Sequence, residues 1–223
     1  MNGYGDCHTC KSFSKSAFSC LDKDTVSKSI TANSVSLSFK KGQDVYIENT
    51  LAKGAYCIQS GKVKIYKGCT QRNITIDLAG NSDLLGYQTL FNGGNFTNSA
   101  KCLEEAQICF IPKKNFLDII ATNSEIQMLL IKRCCIDNYK LSNVLRDLKC
   151  KNTLSRVAAS LLAVGEKFGF DENKCLNITL TRKDISEISG TTTESAIRIL
   201  NDLKREKVIS FYNNRIKIND TTK

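Results

Sequence analysis

Cys7 and Cys10 are separated by two residues, a spacing that brings two thiolates onto one metal ion or cluster. Zinc, an iron–sulfur cluster and a dithiol switch all use it, and the pair alone leaves those chemistries open. Cys20 follows with nine residues between it and Cys10. The single histidine, His8, reads as an exposed side chain rather than a metal or haem ligand. A second set carries different chemistry. Glu194, Ile197, Arg198 and Asn201 stand at i, i+3, i+4 and i+7, so a helix would present them on one face. A carboxylate accepts from cytosine N4, a guanidinium forks onto guanine O6 and N7, and an apolar group meets a thymine methyl. No catalytic set accompanies them. There is one histidine, no phosphate-binding loop, no Gly-x-Ser-x-Gly and no His-x-x-x-His pair, so an enzyme is not expected.

The elements that must position the second set are legible around it. Thr181 suits a helix N-cap, with Asp184 three residues on. Ile185 and Ile188 mark an apolar face, and Gly190 permits the positive φ of a tight turn. A second helix then starts after Thr191-Thr192, with Ala196, Ile199, Leu200 and Leu203 as its buried stripe. This is a helix-turn-helix pattern, whose second helix enters the major groove. A plain helical hairpin with a solvated charged face is the competing reading. So is a capping box between Thr191 and Glu194, which would keep that carboxylate off DNA. The strand-like runs 208–212 and 215–218 flank Asn213-Asn214, a pair that tolerates the left-handed angles of a two-residue hairpin. Helix-turn-helix followed by hairpin is a winged helix.

The remainder supplies a frame. With 223 residues and 41% hydrophobic content the chain can form a large core. Its formal net charge of +10 favours a polyanionic partner. Eleven cysteines without a signal peptide or a membrane span point to a reducing cytoplasm, where such residues bind metal or sense redox state. Residues 35 to about 111 read as short strands punctuated by glycine, which argues for an antiparallel sandwich or barrel. Residues 115–149 lack glycine and proline and read as one long helix. Ile131, Cys134, Asn138, Leu141, Leu145 and Leu148 follow a 3,4 alternation, the pattern of a coiled-coil seam whose one Asn favours a dimer. A helix lying on its own β domain is the alternative. Residues 153–168 predict a further helix.

The order β domain, long helix, winged helix resembles the Crp/Fnr family of bacterial transcription regulators over essentially the whole chain. Three local matches carry the resemblance. Ile58-Gln-Ser-Gly61-Lys-Val63-Lys-Ile65-Tyr looks like the glycine turn of the family's β-roll. Leu154-Ser-Arg156-Val-Ala158 through Leu162 looks like its linker helix. Leu180-Thr181-Arg182-Lys-Asp184-Ile185, Gly190 and Glu194-x3-Arg198-Ile-Leu200 look like its DNA-binding signature. The resemblance implies an α+β chain: a cysteine-bearing segment 1–21, an antiparallel β-roll or jelly-roll sensor 22–114, a dimerisation helix 115–149, and a winged helix-turn-helix 150–223. It implies a homodimer on a palindromic duplex with a TGA-type half-site, read by Glu194 and Arg198. Thr181, Thr192, Thr193 and Ile197 are further candidates for the same interface, although Ile197 is unusual for the family. RNA polymerase is a candidate partner, and no membrane is.

The effector expectation also comes from the resemblance. Nucleotide-binding members carry Gly-Glu for the ribose and Arg-Ser or Arg-Thr for the phosphate. Here Gly86-Tyr87 and Thr97-Asn98-Ser99 stand instead, so cyclic AMP is not expected. The oxygen-sensing Fnr branch has an N-terminal cysteine cluster and one distant cysteine before Ile-Pro. Cys109-Phe-Ile111-Pro112 fits the distant position. The implied ligands of a [4Fe–4S] cluster are then Cys7, Cys10, Cys20 and Cys109. The gap before Cys20 exceeds that branch's usual one, and Cys102 is a substitute. Cys57, Cys69, Cys150 and Cys175 show no pattern and read as core or surface residues. A thiol switch, haem, a small ligand in the β-roll and effector-free DNA binding are the competing readings.

Overall fold

The fold is that of a computed structural model, which describes residues 10, 12–19, 21, 30, 33–68 and 72–219. Cys7, His8, Cys20 and Cys69 lie outside them. The strands are β1 (Val35–Phe39), β2 (Asp44–Tyr46), β3 (Gly54–Ser60), β4 (Val63–Gly68), β5 (Asn73–Ala79), β6 (Leu84–Leu85), β7 (Ser99–Cys102), β8 (Ala106–Pro112), β9 (Ile209–Tyr212) and β10 (Arg215–Ile218). The helices are α1 (Tyr87–Asn92), α2 (Lys113–Thr122), α3 (Ser124–Cys150), α4 (Thr153–Phe168), α5 (Arg182–Ser189) and α6 (Thr193–Arg205). The chain divides into two compact units, residues 1–65 with 79–140, and residues 66–78 with 141–223.

The first unit holds a four-stranded sheet of order β1-β8-β3-β6, and β2-β7-β4-β5 is a second sheet. Strand alternation sends successive side chains to opposite faces. Tyr56 and Ile58 of β3 face Phe110 and Ile108 of β8, while Ala55 and Cys57 stand opposite Ile111 and Cys109. Ile58, Ile108, Cys109 and Ile111 are all buried, so both faces are covered. Such two-sided burial explains why β8 reads as a nearly continuous apolar run. Phe116, Ile119 and Ile120 of α2 join the same core as Ile126 and Leu130 of α3.

Two elements depart from the sequence reading. The helical run expected as one helix from 115 is broken at Asn123, which has extended backbone and accepts from Ile126 N–H through Oδ1 at 3.0 Å. Asn123 thus caps a new helix, a competition with the helical backbone that asparagine is prone to. The helix α1 is the second departure, since residues 35 to about 111 read as short strands and turns alone. Gly86 enters α1 at φ 71°, where an added Cβ would meet Phe96 Cε1 at 2.7 Å. Six residues are too few to show helical periodicity in a sequence.

In the second unit α4, α5 and α6 pack together and β9–β10 form the wing. Asn213 (φ 46°) and Asn214 (φ 63°) are both left-handed, as the hairpin turn requires. Arg156 of α4 donates to Ser189 O and Lys151 O, both at 3.1 Å, and so ties the linker helix to the end of α5.

Candidate DNA interface and thiol site

The helix-turn-helix is set by local chemistry. Thr181 caps α5: its Oγ1 accepts from Asp184 N–H at 3.0 Å, and Thr181 N–H donates back to Asp184 Oδ2 at 3.0 Å. Gly190 closes α5 at φ 62° and ψ 36°. Thr192, not Thr191, caps α6 through Ser195 N–H at 3.2 Å. The capping box that would have engaged Glu194 with Thr191 is not formed, and Thr191 is buried with its N–H on Ser186 O. Thr193 Oγ1 lies 3.2 Å from Ser186 Oγ and joins the two helices.

These contacts sort the six residues proposed for the interface. The hydroxyls of Thr181, Thr192 and Thr193 are each engaged within the chain, so they shape the motif. Glu194, Ile197, Arg198 and Asn201 are all exposed on one face of α6, while Ala196, Ile199, Leu200 and Leu203 are buried on the other. Ile197, 41% exposed, lies between the carboxylate and the guanidinium on that face. Arg182 lies over the Phe211 ring of the wing at 4.5 Å, which links α5 to β9.

The thiols lie in the first unit. Cys10 and Cys109, 99 positions apart in sequence, line one cavity. Its walls include Phe13, Phe18, Ile30 and Ile111, and among the described residues no charged side chain lines it. Ser12 holds the covering segment in place: Ser12 Oγ donates to Gln59 O at 2.5 Å, and Ser82 Oγ donates to Ser12 O at 2.8 Å. Burial pushes the Cys109 thiol up, and Cys10 adds to the rise, opposed by a hydrogen bond with Ser34. Cys57 lines the same cavity, which its lack of any sequence spacing had concealed. The substitute Cys102 does not. It is buried in β7, where burial and Asp44 push its thiol up to about 11. Among the described residues no three His, Cys, Asp or Glu side chains are grouped to hold a single ion. Soft thiol donors on an apolar cavity suit iron and sulfide, so Cys10 and Cys109 are of the donor type that the cluster implied by the Fnr resemblance would take.

Residues 36–123 match the family model of a cyclic nucleotide-binding domain, and residues 155–223 match that of a Crp-like helix-turn-helix domain. The chain belongs to the Crp/Fnr family. It is 28% identical over 188 residues to a CRP-like cAMP-activated global transcriptional regulator of Mycobacterium tuberculosis, covering 83% of this chain and 84% of that one. It is 25% identical over 197 residues to the anaerobic regulatory protein of Bacillus subtilis, covering 85% and 83%. The fold is shared with FixK2 from Bradyrhizobium japonicum, at a TM-score of 0.74, 18% identity and coverage of 84% and 93%. This Crp/Fnr protein is a DNA-binding transcription regulator, and its relatives are regulators rather than enzymes. Among the described residues no helix is long and apolar enough to cross a membrane.

In this Crp/Fnr chain the seam residues of α3 divide. Ile131 and Leu145 are each 56% exposed, and Leu141 and Asn138 are exposed as well. Cys134 is turned toward its own chain, with Sγ 3.7 Å from the Tyr87 hydroxyl. Leu148 faces Gly190, where an added Cβ would come within 2.5 Å of its Cδ2. The positions where nucleotide-binding members carry polar groups are occupied differently. Tyr87 is fully buried, and burial followed by the contact with Cys134 raises its hydroxyl pKa. Asn98 Oδ1 accepts from the Tyr46 hydroxyl at 3.0 Å, and Tyr46 stacks on Phe96 at 4.1 Å between ring centres.

Proposed function

We propose that this regulator works as a homodimer whose fit to a palindromic operator is set by the state of a [4Fe–4S] cluster held by Cys thiolates. One observation carries the sensor half: Cys10 and Cys109 converge on one cavity, whose described lining carries no charge. Cys7 and Cys20, outside the described residues, complete the proposed ligand set. When bound, such a cluster supplies chemistry that oxygen or nitric oxide can alter. The name of the Bacillus subtilis relative, an anaerobic regulatory protein, is in keeping with this.

The chain's own residues do the rest. The cavity is small, about 20 Å³. A cluster bound there would press on the segment that carries Cys10. That segment is bonded through Ser12 to Ser82, and the neighbouring Asp83 is paired with Arg133 of α3. Loading or loss of the cluster would thus be felt at the helix whose Ile131, Asn138, Leu141 and Leu145 are exposed for a partner. Coupling follows if the group has different free energies in the two dimer states. The dimer must hold its two α6 helices roughly 34 Å apart, one turn of DNA. There Glu194 and Arg198 read base edges, and Ile197 meets a thymine methyl.

Cyclic AMP is not the effector in this reading. The Gly-Glu carboxylate is replaced by the buried Tyr87, and Asn98 stands where a guanidinium would meet the phosphate. A phosphate enclosed without a cation is poorly compensated. Anaerobic purification with an absorption spectrum, iron and sulfide assays, and gel shifts before and after air tests the proposal. About four irons and four sulfides per chain, and a changed operator affinity after air, are expected. Colourless protein that gains nothing on reconstitution sinks the cluster. A thiol switch is the second reading, favoured by the third thiol on the same cavity, and oxidant-dependent gel shifts without iron would establish it.

A further inference from the structure

Cys57 stands directly opposite Cys109 on the paired strands β3 and β8. Side chains directly opposite each other leave a sheet on the same face, with Cβ atoms about 4.5–5.5 Å apart. Both therefore open onto the cavity that Cys10 reaches from above, and all three line it. None of the three is in a disulfide. Gln59, two residues beyond Cys57 on the same face, is tied by its carbonyl to Ser12, two residues beyond Cys10. The bond fixes the cysteine-bearing segment above Cys57.

We infer that Cys57 is a ligand of the thiolate site, taking the position that the Fnr resemblance offered to Cys20. This rests on the cluster reading above and assigns one of its ligands. The physical grounds are three. First, Cys57 and Cys109 sit on the rigid centre of a sheet, so little conformational entropy is lost when a metal holds them. Second, the register sends both side chains to one face of the sheet at directly opposed positions, so two thiolates can reach one bound group. Third, Cys57 is half-buried whereas Cys109 is almost fully buried, which gives the site an exposed rim where an oxidant can reach iron first. Binding at Cys57 would be ligand exchange: the thiol loses its proton to solvent, its sulfur pair forms the Fe–S bond and a water leaves the iron, with no change in the oxidation state of sulfur.

The test is anaerobic reconstitution of the full chain with ferrous iron and sulfide, in the wild type, Cys57→Ala, Cys57→Ser, Cys20→Ala and Cys150→Ala. Iron and sulfide per chain and the electron paramagnetic resonance spectrum of the reduced protein are the readouts. Thermal melts of the unreconstituted chains show that each variant folds. Both Cys57 variants should lose at least half of the iron and the wild-type spectrum, while Cys150→Ala, on the exposed end of α3, behaves as wild type. Wild-type iron, sulfide and spectrum in folded Cys57→Ala, with loss in Cys20→Ala, overturn the assignment while leaving the cluster standing. A wild type that takes up no iron fails the cluster reading itself and the assignment with it.

Discussion

Arg133 Nη2 donates to Asp83 Oδ1 at 2.6 Å, and Asp83 belongs to the turn that carries the cysteine-bearing segment. Ser82, at φ 74°, gives its hydroxyl to Ser12 O and its N–H to Ile58 O. Asp83 accepts from Gly80 N–H through Oδ2 at 2.8 Å and leaves Oδ1 for the arginine. Burial opposes the charge on Arg133, but Asp83 and then Asp137 outweigh it and raise its pKa. Removing one member of such a charged bond costs about 1.5–3 kcal/mol. Urea unfolding should therefore show Asp83→Asn and Arg133→Gln each destabilised by about that amount, with the double variant less costly than the sum. Additive losses would deny that the two residues communicate. Asp83→Asn should also weaken the link between cluster state and operator affinity.

Arg198→Ala should cost about 1–3 kcal/mol of operator binding and relax base preference at one position of each half-site. Ile197→Ala leaves the electrostatics intact and should lose discrimination at a thymine only. Fluorescence anisotropy on operators varied one base at a time separates the two. Unaltered base preference in Arg198→Ala would remove it from base reading.

Ile131 and Leu145 are exposed side chains 14 positions apart, four turns of α3 on one row. A charge at either should dissociate the proposed dimer, since each apolar side chain buried across an interface contributes about 1.5–3 kcal/mol. Sedimentation of Leu145→Asp should give a monomer that binds operator DNA at least tenfold more weakly. Cys134→Ala should leave the dimer intact, because that side chain packs on Tyr87 of its own chain.

Gly190→Ala places a Cβ at a left-handed residue, which costs about 1–2 kcal/mol, and pushes it against Leu148. The melting temperature of the DNA-binding unit should fall. Leu148→Ala in the same chain removes the collision but not the backbone strain, so recovery should be partial.

Asp171 gathers the Cys175 and Asn173 N–H groups and Arg215 Nη1. The Cys175 bond leads in holding its carboxyl below the usual aspartate range. A folded value below the unfolded one gives a contribution that is complete above the ordinary aspartate pKa of 3.8. It is lost as pH falls through the lower folded value. Amide exchange at Asn173 and Cys175 should stay protected until that acid range, and Asp171→Asn should abolish the acid step. Protection lost already at neutral pH in the wild type contradicts it.

The recognition helix was readable because its information is local. A 3.6-residue period separates Ala196, Ile199, Leu200 and Leu203 from Glu194, Ile197, Arg198 and Asn201, and the burial of α6 follows that division. The wing turn was readable for a similar reason, since paired asparagines accept the angles it needs. Helix α1 and the cap at Asn123 were missed. One is too short for a period, and the other is a side-chain competition that composition does not announce.

By itself the amino-acid order determined which faces of each helix are apolar, where the tight turns fall, and that a winged helix follows a β domain. Each is fixed by residues within a few positions of one another, through helical period, capping and left-handed turn chemistry. Only the tertiary structure decided which distant groups meet. Strand register alone puts Cys57 opposite Cys109. The hold of Ser12 on Gln59 and Ser82 brings Cys10 over both. The turn of α3 about its axis sends Cys134 inward and leaves Ile131 outside. A shift of one residue in the β3–β8 register would move Cys57 to the other face of the sheet.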